Sequence, residues 1–455
     1  MSDAPVWARE DAFPEAPPGW GWSDSKGKPH PVSSLEALTA AIRDDRDGSV
    51  TLVWAPSQPR MMLPEELGGM GDALRTARAR WTRDDLDEAI YKLRWFGAVM
   101  VALSGWAMLG GFVLAGQLAE RSGTSVDFFQ RLVFATRALL SSTQSGLALL
   151  MFVIFAFIPW HQARKRRAEL GLWTEDGIAE AAPVIRFETW LARQRAPLTK
   201  AILGLLTAVA LAQIFCHLKT AGWGALVEWG GTAEAGLMKD RYRLGEWWRL
   251  FTAPMLHGNV VHFLMNAAAL AYLGKRVEVF ARWPHVPLVF LFAAGVGGVM
   301  SARFISAPSV GASGGLMGWL GFLLVFETLH KQLVPRRARR RLAAGVALTA
   351  VIGLFGYKYI DNAAHAGGLI AGMLYAAIVF PSSSSPSRPR STLADVIAGG
   401  AAIAALVAAA LFVIGRMSQN EIVRFALNNR WLEEQGVPDM RAVWIVLHYG
   451  AKASS

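Results

Sequence analysis

The chain has 455 residues, 53% of them hydrophobic and 18% charged, with a formal net charge of +11. Its apolar residues come in long uncharged runs rather than at helical or strand period, which excludes a wholly soluble chain and marks membrane spans. The basic excess clusters in short loops between those runs and so reads as an orientation signal, not a nucleic-acid surface.

Residues 1–24 are acidic, proline-rich and aromatic, with neither a basic start nor an apolar core, so they do not read as a targeting sequence. The first membrane helix then serves as the insertion signal. Residues 1–92 read as a small soluble α/β domain. Ser33–Asp44 has the pattern of a helix capped by Ser33 or Ser34, with Leu35, Leu38 and Ile42 on one side. Val50–Trp54 reads as a short strand. Trp22, Trp54 and Trp81 are assigned to the core of this domain.

Two apolar runs follow within residues 93–160, Phe96–Ala119 and Ala138–Trp160, each longer than the ~20 residues a spanning helix needs. A basic linker, 161–198, carries Arg164-Lys165-Arg166-Arg167. Six further runs follow closely: Ala201–Leu218, Leu256–Gly274, Pro284–Ala302, Gly311–Phe326, Leu342–Tyr357 and Asn362–Phe380. A Ser/Pro-rich linker, 381–392, leads to a ninth run, Val396–Gly415, within 393–416. The polar tail, 417–455, is expected to hold one or two short surface helices. Cys216 is the only cysteine and lies in an apolar run, so it forms no internal disulfide and reads as packing.

Basic residues alternate between the loops. Arg164–Arg167 lie between runs two and three, and Lys275, Arg276 and Arg282 between four and five. Lys331 and Arg336–Arg341 lie between six and seven, and Arg388 and Arg390 between eight and nine. The positive-inside rule puts these loops and residues 1–92 in the cytoplasm, and the tail outside. The Arg336–Arg341 cluster also suits anionic lipid.

Run six begins Gly311-Ala312-Ser313-Gly314, and run eight contains Ala364-His365-Ala366-Gly367-Gly368. The topology puts Ser313 and His365 at similar depth near the outer face. A histidine at that depth needs a partner or a task, and a serine at a helix N-terminus suits a nucleophile. Gly314 and Gly318, and Gly368 and Gly372, are four apart, a spacing that lets two helices approach closely. In run four His262 and Asn266 share a helix face and can donate to an oxyanion. His257, five residues before His262, faces elsewhere, which argues against a paired metal site; a structural hydrogen-bonding role is assigned to it. Asp361 and Asn362 are neighbours of His365, but no acidic residue within the runs stands out as a third catalytic member. A Ser313–His365 dyad is the simplest reading. Ser145-Gly146 in run two lacks the preceding glycine and a nearby histidine, and Ser145 reads as a hydroxyl bonding back to a carbonyl.

These motifs resemble those of the rhomboid intramembrane serine proteases. Gly311-x-Ser313-Gly314 is similar to the family's nucleophile motif, and Ala364-His365-x-x-Gly368 to its base motif. His257-x4-His262-x3-Asn266 is similar to its oxyanion helix, and Glu246-x-Trp248-Arg249 to the Trp-Arg signature of the preceding loop. The resemblance covers about residues 199–380. It implies an all-α polytopic membrane protein with a six-helix rhomboid core, enlarged here by two N-terminal spans and one C-terminal span. It further implies an active site open to the outer aqueous face, with Ser313 as nucleophile, His365 as base, and His262, Asn266 and the Ser313 N–H around the oxyanion. No metal or cofactor is implied. The substrates would be transmembrane proteins within the lipid bilayer, cut after a small residue in a helix that unwinds easily. The implied location is a bacterial inner membrane. One departure is Met317, where many members carry an aromatic residue. The rival readings are a catalytically silent rhomboid-like protein that binds membrane clients and, with no internal repeat to support it, a transporter or channel.

Overall fold

The computed structural model describes residues 4–427 apart from 142–144, 147–148, 150–151, 171–174, 222–228 and 358–359. Its strands are β1 (Trp20–Ser23), β2 (Pro29–Val32) and β3 (Leu52–Trp54). Helices of ten or more described residues are α1 (Leu35–Asp44), α2 (Gly71–Ser122), α3 (Phe128–Ser141), α4 (Ile158–Leu170), α5 (Glu175–Arg193), α6 (Pro197–Ala221), α7 (Val260–Ala281), α8 (His285–Phe304), α9 (Ser313–Leu329), α10 (Arg336–Phe355), α11 (Asn362–Val379) and α12 (Leu393–Leu427). The chain forms two compact units: residues 1–194 with 330–360 and 384–387, and residues 195–329 with 361–383 and 388–455.

In the first unit the three strands form an antiparallel sheet in the order β2-β1-β3. Ser34 caps α1 by accepting from the Ala37 N–H at 3.2 Å, which satisfies one of the helix's free N-terminal donors. Leu38 and Ile42 are buried against Val53, Met70, Ala73 and Leu74, whereas Leu35 is exposed. Trp54 is fully buried, Trp22 stacks on His30, and the Trp81 ring N–H donates to the Asp45 carbonyl. The β1–β2 hairpin was not anticipated, since Pro29 and Pro31 obscure the period-two pattern.

Residue 92 is no break. The helix α2 runs through it for 52 residues, because no proline interrupts Gly71–Ser122. It ends where Gly123 adopts a left-handed conformation at φ 67°. Likewise α12 continues past Gly415 to Leu427; the remainder of the expected tail lies outside the described residues.

Five described helices are long and apolar enough to cross a membrane: α2, α6, α8, α11 and α12. Of the other expected runs, α9 has only 17 residues. The helix α7 ends in Lys275, Arg276 and Glu278, and α10 begins with Arg336, Arg337, Arg339, Arg340 and Arg341. Run two, Ala138–Trp160, crosses residues outside the described set.

The second unit brings together α6, α7, α8, α9, α11 and α12. The helix α10 groups with the first unit, where Arg341 pairs with Glu188 of α5, and α12 lies beside α6 and α8. Small residues on α12 permit that approach, since a Cβ on Gly399 would stand 2.6 Å from Pro284 Cα. The helix α9 is buried along most of its length and packs against α7, α8 and α11.

Candidate active site

The segment between α6 and α7 is built around Arg249, whose side chain is fully buried. Its guanidinium donates to Glu246 Oε2 at 2.6 Å, to the Gly236 carbonyl at 2.6 Å and to the Ala233 carbonyl at 3.2 Å. It also lies 4.6 Å from the Trp248 ring centroid. A planar cation with several donors is suited to gathering loop carbonyls in this way. Trp248 in turn packs edge-on against Phe412 of α12, with centroids 5.0 Å apart.

This segment supports the chain entering α9. The Gly311 N–H donates to the Ala253 carbonyl at 3.0 Å, and Leu237 and Ser309 exchange backbone hydrogen bonds. Gly311 has φ 122°, a conformation that an L side chain rarely adopts. Ser313 is the first residue of α9 and is half-buried. Its N–H is among the first four of the helix, which have no intrahelical acceptor, so it remains available to an anion.

The side chains of His262 and Asn266 meet Gly311. A Cβ at Gly311 would stand 2.7 Å from His262 Cε1, 2.8 Å from its Nε2 and 3.5 Å from Asn266 Nδ2. Asn259 caps α7 by accepting from the His262 N–H at 2.9 Å, which fixes that first turn. Asn266 is buried, and among the described residues its Nδ2 has no hydrogen-bond partner. A buried donor left unpaired costs about 1–3 kcal/mol, so an acceptor that arrives there gains a prepared hydrogen bond.

His257 makes its hydrogen bonds through the backbone: its N–H donates to Gln213 and its carbonyl accepts from Gln213, while neither ring nitrogen has a partner among the described residues. The ring is wholly buried and packs edge-on against His262 and Phe263, at 5.2 and 5.3 Å between centroids. Its close contact with His262 makes it a packing support for that ring.

His365 lies one turn into α11, half-buried, its N–H donating to the Asp361 carbonyl at 3.0 Å. The helices α9 and α11 meet backbone to backbone: a methyl on Gly368 or Gly372 would run into the carbonyl of Gly314 or Gly318. The helix α8 joins them, since a Cβ on Gly297 would stand 2.6 Å from the Ala364 carbonyl oxygen. Among the described residues no hydrogen bond joins Ser313 Oγ to the His365 ring. Met317 is buried on α9. No group of three or more metal-ligating side chains is gathered among the described residues.

The sequence reading did not find the buried cluster beside this site. Lys239 Nζ donates to Ser301 Oγ at 2.6 Å and to Ser309 Oγ at 2.7 Å, and lies 4.0 Å from Asp361 Oδ2. Both hydroxyls bond to that carboxylate oxygen, while Asp361 Oδ1 caps α11 by accepting from the Ala364 N–H at 2.9 Å. Burial pushes Lys239 from its ordinary value of 10.5 down to about 8, partly opposed by Asp361. The cluster draws on four separate segments, so only the Asp361 cap carried a local signal.

Comparison with known proteins places these elements in context. The rhomboid domain family matches residues 244–382. The chain is 35% identical over 133 residues to "Rhomboid protease GluP" of Bacillus subtilis (strain 168), covering 29% of this chain and 26% of that protein. It is 34% identical over 130 residues to "RHOMBOID-like protein 4" of Arabidopsis thaliana, covering 28% and 33% of the two chains. It is also 29% identical over 170 residues to "Inactive rhomboid protein 2" of Homo sapiens, covering 36% and 20%. The matched region thus spans between a fifth and a third of these relatives' lengths.

Proposed function

We propose that this chain, a member of the rhomboid family, is an intramembrane serine endopeptidase that cleaves transmembrane proteins with a Ser313–His365 dyad. Ser313 Oγ attacks the scissile carbonyl while His365 takes its proton. The resulting oxyanion accepts from the Ser313 N–H, the His262 ring and Asn266 Nδ2. His365 then donates its proton to the leaving amine, and water hydrolyses the acyl-enzyme by the same steps in reverse order of groups. The carrying observation is the convergence of the His262 ring and the buried Asn266 amide, whose Nδ2 has no partner among the described residues, beside Gly311, two residues before Ser313. Close backbone contact between α9 and α11 at Gly314, Gly318, Gly368 and Gly372 supports the pairing of serine and histidine.

The surrounding architecture is read as nine spans: a six-helix core, two spans before it and one after. The small N-terminal α/β module is cytoplasmic, the tail extracytoplasmic, and the membrane a bacterial inner membrane. The reading is tested with purified protein in liposomes and a membrane-anchored substrate carrying a small residue before a glycine-containing helix. Product masses should show one internal cut, absent in Ser313→Ala and His365→Ala; a cut that persists in both would refute it.

A second reading, a silent rhomboid that binds membrane clients, has two observations on its side. The chain shares 29% identity with a relative named inactive, and no Ser313–His365 hydrogen bond is formed among the described residues. Client capture by wild type and Ser313→Ala alike, with no product from either, would favour it.

A further inference from the structure

We propose that Asp361 is a positioning residue for His365, and that Lys239, Ser301 and Ser309 lock it in place. The inference rests on the dyad reading above. One carboxylate has two tasks in the structure. Its Oδ1 fixes the first turn of α11 by capping the Ala364 N–H at 2.9 Å, and His365 is the next residue, its own N–H bonded to the Asp361 carbonyl. Its Oδ2 receives the hydroxyls of Ser301, near the end of α8, and Ser309, four residues before Ser313. Lys239 Nζ bonds to both hydroxyls and faces the same oxygen.

The cluster therefore ties the segment leading into the nucleophile to the first turn of the base's helix. Ser309 also exchanges backbone hydrogen bonds with Leu237, two residues from Lys239. A shift of one segment is transmitted to the other through a few buried bonds, and a misplacement of about 1 Å costs about 10²-fold in rate.

The charge on Lys239 orients both hydroxyls toward the carboxylate, since an ammonium group only donates. Among the described residues Ser301, Ser309 and Asp361 face it, and Asp361 acts on it electrostatically. On its own short helix, Asp240 pairs with Arg243 and Arg241 with Glu246. Once Lys239 loses its proton, near pH 8, Asp361 loses its compensating charge and the hydroxyls lose their director. Loss of rate on the alkaline side is then expected without unfolding. A lysine that titrates lower in the folded state than in the unfolded one adds stability as pH rises from about 8 towards 10.5.

The test is the rate at which a fluorophosphonate probe labels Ser313 in the full-length protein, measured from pH 6 to 10. Wild type should lose rate as pH passes through about 8. Lys239→Arg should remove that alkaline limb, because the guanidinium stays charged. Asp361→Asn retains a capping oxygen and should slow labelling about 10-fold; Asp361→Ala should slow it about 10²-fold. Lys239→Met combined with Asp361→Asn should be no slower than the worse single variant, as expected of one coupled unit. Thermal melting of each variant in the same detergent separates misfolding from mispositioning, and the wild-type pH profile needs no substitution. A flat alkaline profile, or Asp361→Asn and Lys239→Met both labelling at the wild-type rate, overturns the proposal. Labelling that does not depend on Ser313 at all overturns the dyad reading instead.

Discussion

The two compact units are held together in different ways. In the first, long side chains bridge distant segments. Arg186 donates to the Trp7 and Arg9 carbonyls and to both Glu66 oxygens, and Arg341 pairs with Glu188. In the second, Arg249 and Lys239 also join segments, but helices α8, α9 and α11 meet at glycines, with backbone carbonyls filling the space a Cβ would need. A flexible side chain tolerates shifts of an ångström; a backbone contact does not. The site sits in the second kind of structure, which suits chemistry that depends on the separation of two helices.

Substitutions can break this contrast, and their expected effects fall in a clear order. Ser313→Ala should reduce cleavage to background without altering melting, because the nucleophile itself is removed. Gly368→Val should cost about 1–3 kcal/mol through overpacking and should also abolish cleavage by forcing α11 away from α9; activity retained in detergent-stable Gly368→Val would show that the close approach is not needed. Asn266→Ala should slow cleavage about 10²–10³-fold, as for loss of one oxyanion donor, with melting unchanged or raised, since the deleted Nδ2 has no partner among the described residues. The smallest catalytic effect belongs to the first unit. Arg186→Ala should lower its stability by about 1–3 kcal/mol and leave the cleavage rate intact; a parallel loss of rate would erase the distinction between the units.

Legibility in the sequence follows the same division. The glycine spacing of α9 and α11 could be read because a four-residue repeat is local and its consequence for helix contact is general. A cap at Ser33 or Ser34 and the stripe of Leu35, Leu38 and Ile42 were legible for the same reason; the structure uses Ser34 and leaves Leu35 exposed. The Lys239–Asp361 cluster was not, because its members are brought together only by the fold. The length of α2 was missed because a change in polarity near residue 92 is not a break in backbone hydrogen bonding.

The central claim is that Ser313 is an activated nucleophile. Labelling of the full-length protein in native membranes with a fluorophosphonate probe, followed by mapping of the modified peptide, tests it most directly. A single adduct on Ser313, lost in Ser313→Ala, slowed in His365→Ala and unchanged in Ser145→Ala, is the predicted result. An adduct elsewhere, or labelling that survives Ser313→Ala, would contradict it.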